Sequence, residues 1–189
     1  MLPVGLRFPR SRRVFRHCSP IGPRPETLVT PPPERSGSTR GTAAPARGEM
    51  RHRFKTRIYY ADTDFSGVVY HGRYLEFLER GRSDLLHEAG VRHRDLAAGV
   101  LQLGDEPGEP LAWVVRRMTI DYRGSARIED EIAIETGIAE ARGARLVMPQ
   151  RITLHERPIL EASVEAALVT MDGRPRRIPS ALLERIGLP

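Results

Sequence analysis

Two carboxylates, a glycine and an imidazole fall within ten residues: Asp62-Thr63-Asp64-Phe65-Ser66-Gly67-Val68-Val69-Tyr70-His71. The segment lies between a strand-like run and a helix-like run. An acid delivered at a strand-to-helix junction sits beside a helix N-terminus, whose first backbone N–H groups lack intrahelical partners and favour negative charge. A carboxylate paired with such an anion hole is a layout for attack on a carbonyl, with the acid as base or nucleophile and the amides holding the oxyanion.

The elements that must position this loop are legible on both sides. Upstream, Phe54, Thr56, Ile58 and Tyr60 alternate with Arg53, Lys55, Arg57 and Tyr59, the period of a strand, and this parity turns Tyr60 toward the core. Downstream, Tyr74, Leu75, Leu78, Arg82, Leu85, Leu86 and Ala89 recur at three- and four-residue spacing, and Gly90 stands where a helix C-terminus favours positive φ. Four β-like runs follow, over Leu111–Tyr122, Glu131–Ile138, Arg145–His155 and Ile159–Met171. Gly124-Ser125, Ala141-Arg142-Gly143 and Glu156-Arg157-Pro158 separate them as turns. Pro179-Ser180 opens a short terminal helix to Ile186. One long helix and a run of consecutive strands is an α+β pattern, the helix covered by a five-stranded, mainly antiparallel sheet.

Composition narrows the function classes. The formal charge of +6 belongs entirely to residues 1–49, where nine arginines face three glutamates; the remainder holds equal numbers of acidic and basic groups. A neutral body offers no footprint for nucleic acid. Residues 1–49 also carry nine of the sixteen prolines and no sustained periodicity, so an Arg/Pro-rich disordered extension is expected there, with the domain running over 50–189. Its Arg- and Ser-rich composition is that of an organellar transit peptide, but Pro3, Pro9, Pro20 and Pro23 interrupt the amphipathic helix such a peptide needs. Met50 is read as an alternative start, with the upstream residues a translated leader. Cys18 is the single cysteine, so no disulfide framework forms within the chain, which fits a reducing, cytoplasmic setting. No run of about 18 apolar residues is present to span a bilayer. His52, His71, His87, His93 and His155 show no ligand spacing, and neither a metal nor a cofactor is expected.

Tyr59 to His71, followed by Tyr74-Leu75-Glu76-Phe77-Leu78-Glu79-Arg80, resembles the hotdog-fold acyl-CoA thioesterases. More narrowly it resembles the 4-hydroxybenzoyl-CoA thioesterase family and its Tol-Pal-associated branch. The likeness extends from about Arg53 to the end, through Val114-Val115-Arg116-Arg117-Met118 and Ala126-Arg127-Ile128-Glu129-Asp130. It implies a hotdog protomer with the long helix wrapped by the sheet, paired edge to edge as a homodimer or homotetramer, with an acyl-CoA substrate bound between protomers. It also implies that Asp64 is the catalytic acid, assisted by Tyr60 and His71. Two departures from the family pattern stand out: Phe65-Ser66 replaces small residues after the acid, narrowing the acyl pocket, and Ser125 stands where many members have proline.

Each of these residues also has a plainer reading. Asp is common in loops for its side-chain-to-backbone bonds, and that bracing role is assigned to Asp62. The backbone N–H of His71 or Gly72 is a better oxyanion donor than the imidazole, because the helix begins there. Gly67 is a backbone device that permits positive φ or close approach of substrate. Trp113 fills core or interface, and Arg116 or Arg117 is available to a CoA phosphate. Two rival functions remain at this stage: a hydratase or dehydratase of acyl-CoA on the same fold, and a non-catalytic acyl-CoA-binding protein associated with the envelope.

Overall fold

The computed structural model describes residues 50–101 and 108–187. The extension expected over 1–49 lies outside the described residues. Strand β1 (Met50–Arg57) leads through a 3-10 turn (Tyr60–Asp62) and the acidic loop into α1 (Arg73–Glu88) and a short α2 (His93–Ala97). Then come β2 (Leu111–Tyr122), β3 (Glu131–Gly137), β4 (Glu140–Arg142), β5 (Arg145–Leu154), β6 (Arg157–Thr170) and α3 (Ser180–Arg185). The sheet order is β1-β3-β5-β6-β2, with β4 attached to β5 and every pairing antiparallel. The architecture is the expected α+β, with six strands among the described residues rather than five. The turn expected at Ala141-Arg142-Gly143 is a tight hairpin: Gly143 at φ +61° closes it, and residues 140–142 pair back onto β5.

Helix α1 buries Tyr74, Phe77, Leu78, Gly81, Arg82, Leu85 and Leu86, a stripe at i, i+3, i+4 spacing. The expected stripe included Leu75, which is 43% exposed, and passed over Phe77, which is fully buried. Gly81 explains how closely the helix lies on the sheet. A Cβ there would stand 2.5 Å from Ile134 Cγ2 on β3, so only glycine allows the approach. One core cluster (Ile58, Val69, Tyr74, Phe77, Leu78, Ile134) underlies the acidic loop; a second gathers Leu86, Leu96, Leu146 and Leu168 toward the far end of α1.

The strand pattern read through Tyr60 fails at its last step. β1 ends at Arg57, and Tyr60 is 84% exposed rather than core-facing. The cause is Asp62, whose backbone N–H donates to Tyr59 O at 2.9 Å while its Oδ2 accepts from Tyr59 N–H at 2.8 Å. These bonds curl residues 60–62 out of the sheet and end the period-two alternation after Ile58.

Candidate active site

The acidic loop is a small closed hairpin. Thr63 bridges Val69, Asp64 N–H donates to Val68 O at 3.1 Å, and Gly67 N–H donates to Asp64 O at 3.0 Å. Gly67 adopts φ +76°, the left-handed region that lets the chain reverse in so few residues. The hairpin is fastened to the segment between β2 and β3, since Val69 N–H donates to Ala126 O at 2.9 Å and Val68 bridges Arg127. Ala126 N–H in turn donates to the Tyr74 hydroxyl at 2.9 Å, and Tyr122 OH donates to His71 O at 3.1 Å. Loop and helix start are therefore held by one set of bonds.

The two carboxylates have different surroundings. Asp62 is 6% exposed and fully engaged: Arg73 Nε–H donates to its Oδ1 at 2.8 Å and Tyr59 N–H to its Oδ2. Asp64 is exposed, and its Oδ1 accepts from Ser66 Oγ at 2.5 Å and Ser66 N–H at 2.8 Å. The Ser66 hydroxyl, then the Ser66 amide, hold the Asp64 carboxyl below the usual Asp range; slight desolvation opposes them, and the His71 charge adds to the lowering. Among the described residues no protein donor reaches Asp64 Oδ2, so an ionised oxygen faces outward. Ser66 was not singled out from the sequence as a partner of the acid. Its signal is the Asp-x-Ser spacing, which suits a side-chain bond from an Asp to the backbone two residues on.

The helix begins directly after the loop. Gly72 caps α1, Arg73 N–H donates to Tyr70 O at 2.8 Å, and Leu75 N–H donates to Gly72 O at 3.2 Å. Among the described residues no backbone acceptor takes the N–H of His71 or Gly72. The His71 ring is exposed and lies 4.4 Å from the Tyr70 ring. Tyr59, Tyr60, Phe65 and Tyr70, within the loop or next to it in sequence, are all exposed. Tyr60, on the 3-10 turn, is exposed rather than in the core.

The remaining expected residues lie elsewhere. Arg116 is paired with Glu165 at 2.5 Å, at the point where β2 bulges between Val115 and Arg117. Trp113 is half-buried near the start of β2, and its Nε1 is buried with no partner among the described residues. The structure also assembles a cluster that residue spacing did not reveal. Buried His52 on β1 has Nδ1 2.9 Å from Glu88 and Nε2 3.1 Å from Asp84, acids one helical turn apart on α1. The three donors lie within 4.8 Å of one another, close enough for a cation. Each ring nitrogen meets a different acid, so the imidazole bridges strand and helix.

Comparison with known proteins places this architecture. The family model described as the thioesterase-like superfamily matches residues 59–186. The acyl-CoA thioester hydrolase YbgC of Escherichia coli O157:H7 is 37% identical over 134 residues, covering 69% of this chain and 92% of that protein. The crystal structure of a probable thioesterase from Bartonella henselae superposes with a TM-score of 0.63 at 48% identity, over 68% of this chain and 98% of the other. A 1,4-dihydroxy-2-naphthoyl-CoA thioesterase from Synechocystis shares the fold at 19% identity and a TM-score of 0.61, over 71% and 94% of the two chains.

Proposed function

Because this chain belongs to the thioesterase-like superfamily, we propose that it is a hydrolase that cleaves the thioester of an acyl-CoA to a free acid and CoA. One observation carries the assignment. An exposed carboxylate, Asp64, held ionised by Ser66, shares a loop with unclaimed amides at the start of α1.

In this reading the thioester carbonyl oxygen accepts from the N–H of His71 or Gly72, whose donation strengthens as negative charge develops. Asp64 either removes a proton from an attacking water or attacks the carbonyl carbon to give a mixed anhydride that water then opens. In both routes the electron pair of the C–S bond leaves with sulfur. A thiolate is stable enough to depart without a strong general acid, so no further acid is required. Asp62 braces the loop through Arg73 and Tyr59. Tyr60 and His71 border the reacting carbon, and the His71 charge favours the ionised form of Asp64.

The catalytic domain in this proposal is 50–189, with 1–49 an extension outside it. A homodimer is the proposed assembly, joined along the outer edge of β2, where Val114, Val115 and Tyr122 are exposed beside unpaired backbone groups. Two such dimers pair into a tetramer only through other surfaces. Among the described residues no helix is long and apolar enough to cross a membrane, and the proposed setting is the cytoplasm. Membership of the Tol-Pal-associated branch stands as part of the same proposal.

The test is release of free thiol from a panel of acyl-CoA esters by the wild type and by Asp64→Asn. The amide keeps the loop's shape and removes the base, so kcat/KM falls by about 10²–10⁴-fold. Unchanged turnover in the variant ends the proposal.

A further inference from the structure

The first strand and the far end of α1 meet at a polar cluster that the hydrolase reading does not use. His52 on β1 is 8% exposed. Its Nε2 stands 3.1 Å from Asp84 Oδ2 and its Nδ1 2.9 Å from Glu88 Oε2. Each of the three residues offers a donor atom within 4.8 Å of the other two, and no other such set of His, Cys, Asp or Glu occurs among the described residues. At 1.5 Å per residue, Asp84 is about 18 Å along α1 from Gly72. β1 is also the sheet edge opposite β2, so the cluster lies apart from the acidic loop and from the seam assigned to the dimer.

The two acids stand where helix physics disfavours them. Asp84 and Glu88 are four residues apart on α1, so like charges share one face, and Glu88 is the last residue of the helix, where the dipole is negative. A neutral imidazole offsets neither charge, and an imidazolium supplies one positive charge against two negative. A divalent cation balances both. The donor types point to a borderline ion: imidazole nitrogen with carboxylate oxygen suits zinc and its first-row neighbours, whereas magnesium and calcium prefer oxygen alone.

The distances agree. Two ligands of one tetrahedral zinc stand about 3.4 Å apart, given bonds of about 2.0–2.2 Å. The 3.1 Å between His52 Nε2 and Asp84 Oδ2 therefore needs little adjustment. The opposite nitrogen, Nδ1, then carries the proton and donates it to Glu88, the arrangement that fixes the tautomer of a metal-bound histidine. The Asp84 and Glu88 side chains are 37% and 68% exposed, which leaves a way in from solvent for the ion and its water ligands. We propose that His52 Nε2 and Asp84 ligate a first-row divalent metal ion, zinc being the best match, with Glu88 orienting the imidazole and water completing the coordination. The ion ties β1 to the C-terminal end of α1, and takes no part in the chemistry at Asp64.

The chelator-treated full chain is titrated with zinc chloride by calorimetry, beside Asp84→Asn, Glu88→Gln and His52→Gln. Saturable binding is expected for the wild type, at least tenfold weaker in each variant and at least tenfold weaker for magnesium chloride. Zinc taken up by Cys18 or His17 is common to all four chains, so the comparison isolates the cluster. Should His52→Gln fail to fold, Asp84→Asn decides, because that side chain is partly exposed. Thermal unfolding gives a second readout: zinc raises the Tm of the wild type more than that of Asp84→Asn. Equal zinc affinity in the wild type and Asp84→Asn, equal binding of magnesium, or no saturation of the wild type below about 1 mM zinc overturns the proposal, and His52 then bridges the two acids alone. Asp64→Asn binds zinc as the wild type does, so a failure of the hydrolase reading is distinguishable from a failure here.

Discussion

Replacing Asp62 by asparagine separates the two acids of the loop by what each one does. Asp62 accepts from Tyr59 N–H and from Arg73 Nε–H, each at 2.8 Å, one donor on each carboxylate oxygen. Asparagine has one carbonyl oxygen, so its NH₂ must face one of those donors. A bond to a charged group contributes about 1.5–3 kcal/mol, and a buried donor left without acceptor costs about 1–3 kcal/mol. The Arg73 side is the weaker, because its side chain is 29% exposed and keeps Glu76 at 2.6 Å. The net expectation for Asp62→Asn is a loss of about 2–4 kcal/mol. Urea unfolding of the full chain reads it as a lower midpoint with an unchanged slope. Asp64→Asn, by contrast, lowers the midpoint much less, since that side chain is exposed and an amide oxygen still accepts from Ser66. A change within about 0.5 kcal/mol for Asp62→Asn refutes the bracing role, because that is the range of a surface substitution free of such bonds.

Two further outcomes follow from named contacts. Ser66→Ala removes the strongest influence holding the Asp64 carboxyl low, so its pKa rises. Because the active form is the ionised one, the acidic limb of the pH–kcat/KM profile moves to higher pH, and a limb that stays in place contradicts Ser66 control. The same depressed folded-state pKa contributes stability that is present above the unfolded value of about 3.9 and is lost as pH falls through the folded one. Gly81→Ala drives a methyl to 2.5 Å from Ile134 Cγ2. Overpacking of about 1–3 kcal/mol outweighs a helix-propensity gain of about 1 kcal/mol, so thermal unfolding shifts several degrees lower; an unchanged or raised Tm shows that the helix lies farther from β3.

The acidic loop was legible because its chemistry and its flanking periodicities are local. The β2 bounds were legible as well, since apolar residues stand between clear turn signals over Leu111–Tyr122. What escaped depends on contacts distant in sequence. Tyr60 continues the strand alternation on paper, but the bonds from Asp62 curl the backbone before it is reached. Phe77 fell outside the stripe although it is fully buried, and Leu75 was placed inside it although half-exposed, because the angle at which α1 meets β1 and β3 is fixed by the close approach at Gly81. The hairpin β4–β5 was read as a bare turn, since three residues are too few to show a period. His52 meets Asp84 and Glu88 across more than thirty residues, which spacing rules for ligands do not reach.

The account turns on a thioester carbonyl lying between the Asp64 carboxylate and the amides that begin α1. Its most direct test is a crystal structure with an unreactive ketone analogue of an acyl-CoA, in which CH₂ replaces the sulfur. The carbonyl oxygen is expected to accept from His71 or Gly72 N–H at about 2.7–3.1 Å, with the carbonyl carbon about 3–3.5 Å from an Asp64 oxygen. An analogue bound with its carbonyl against other donors, and Asp64 still directed to solvent, contradicts it.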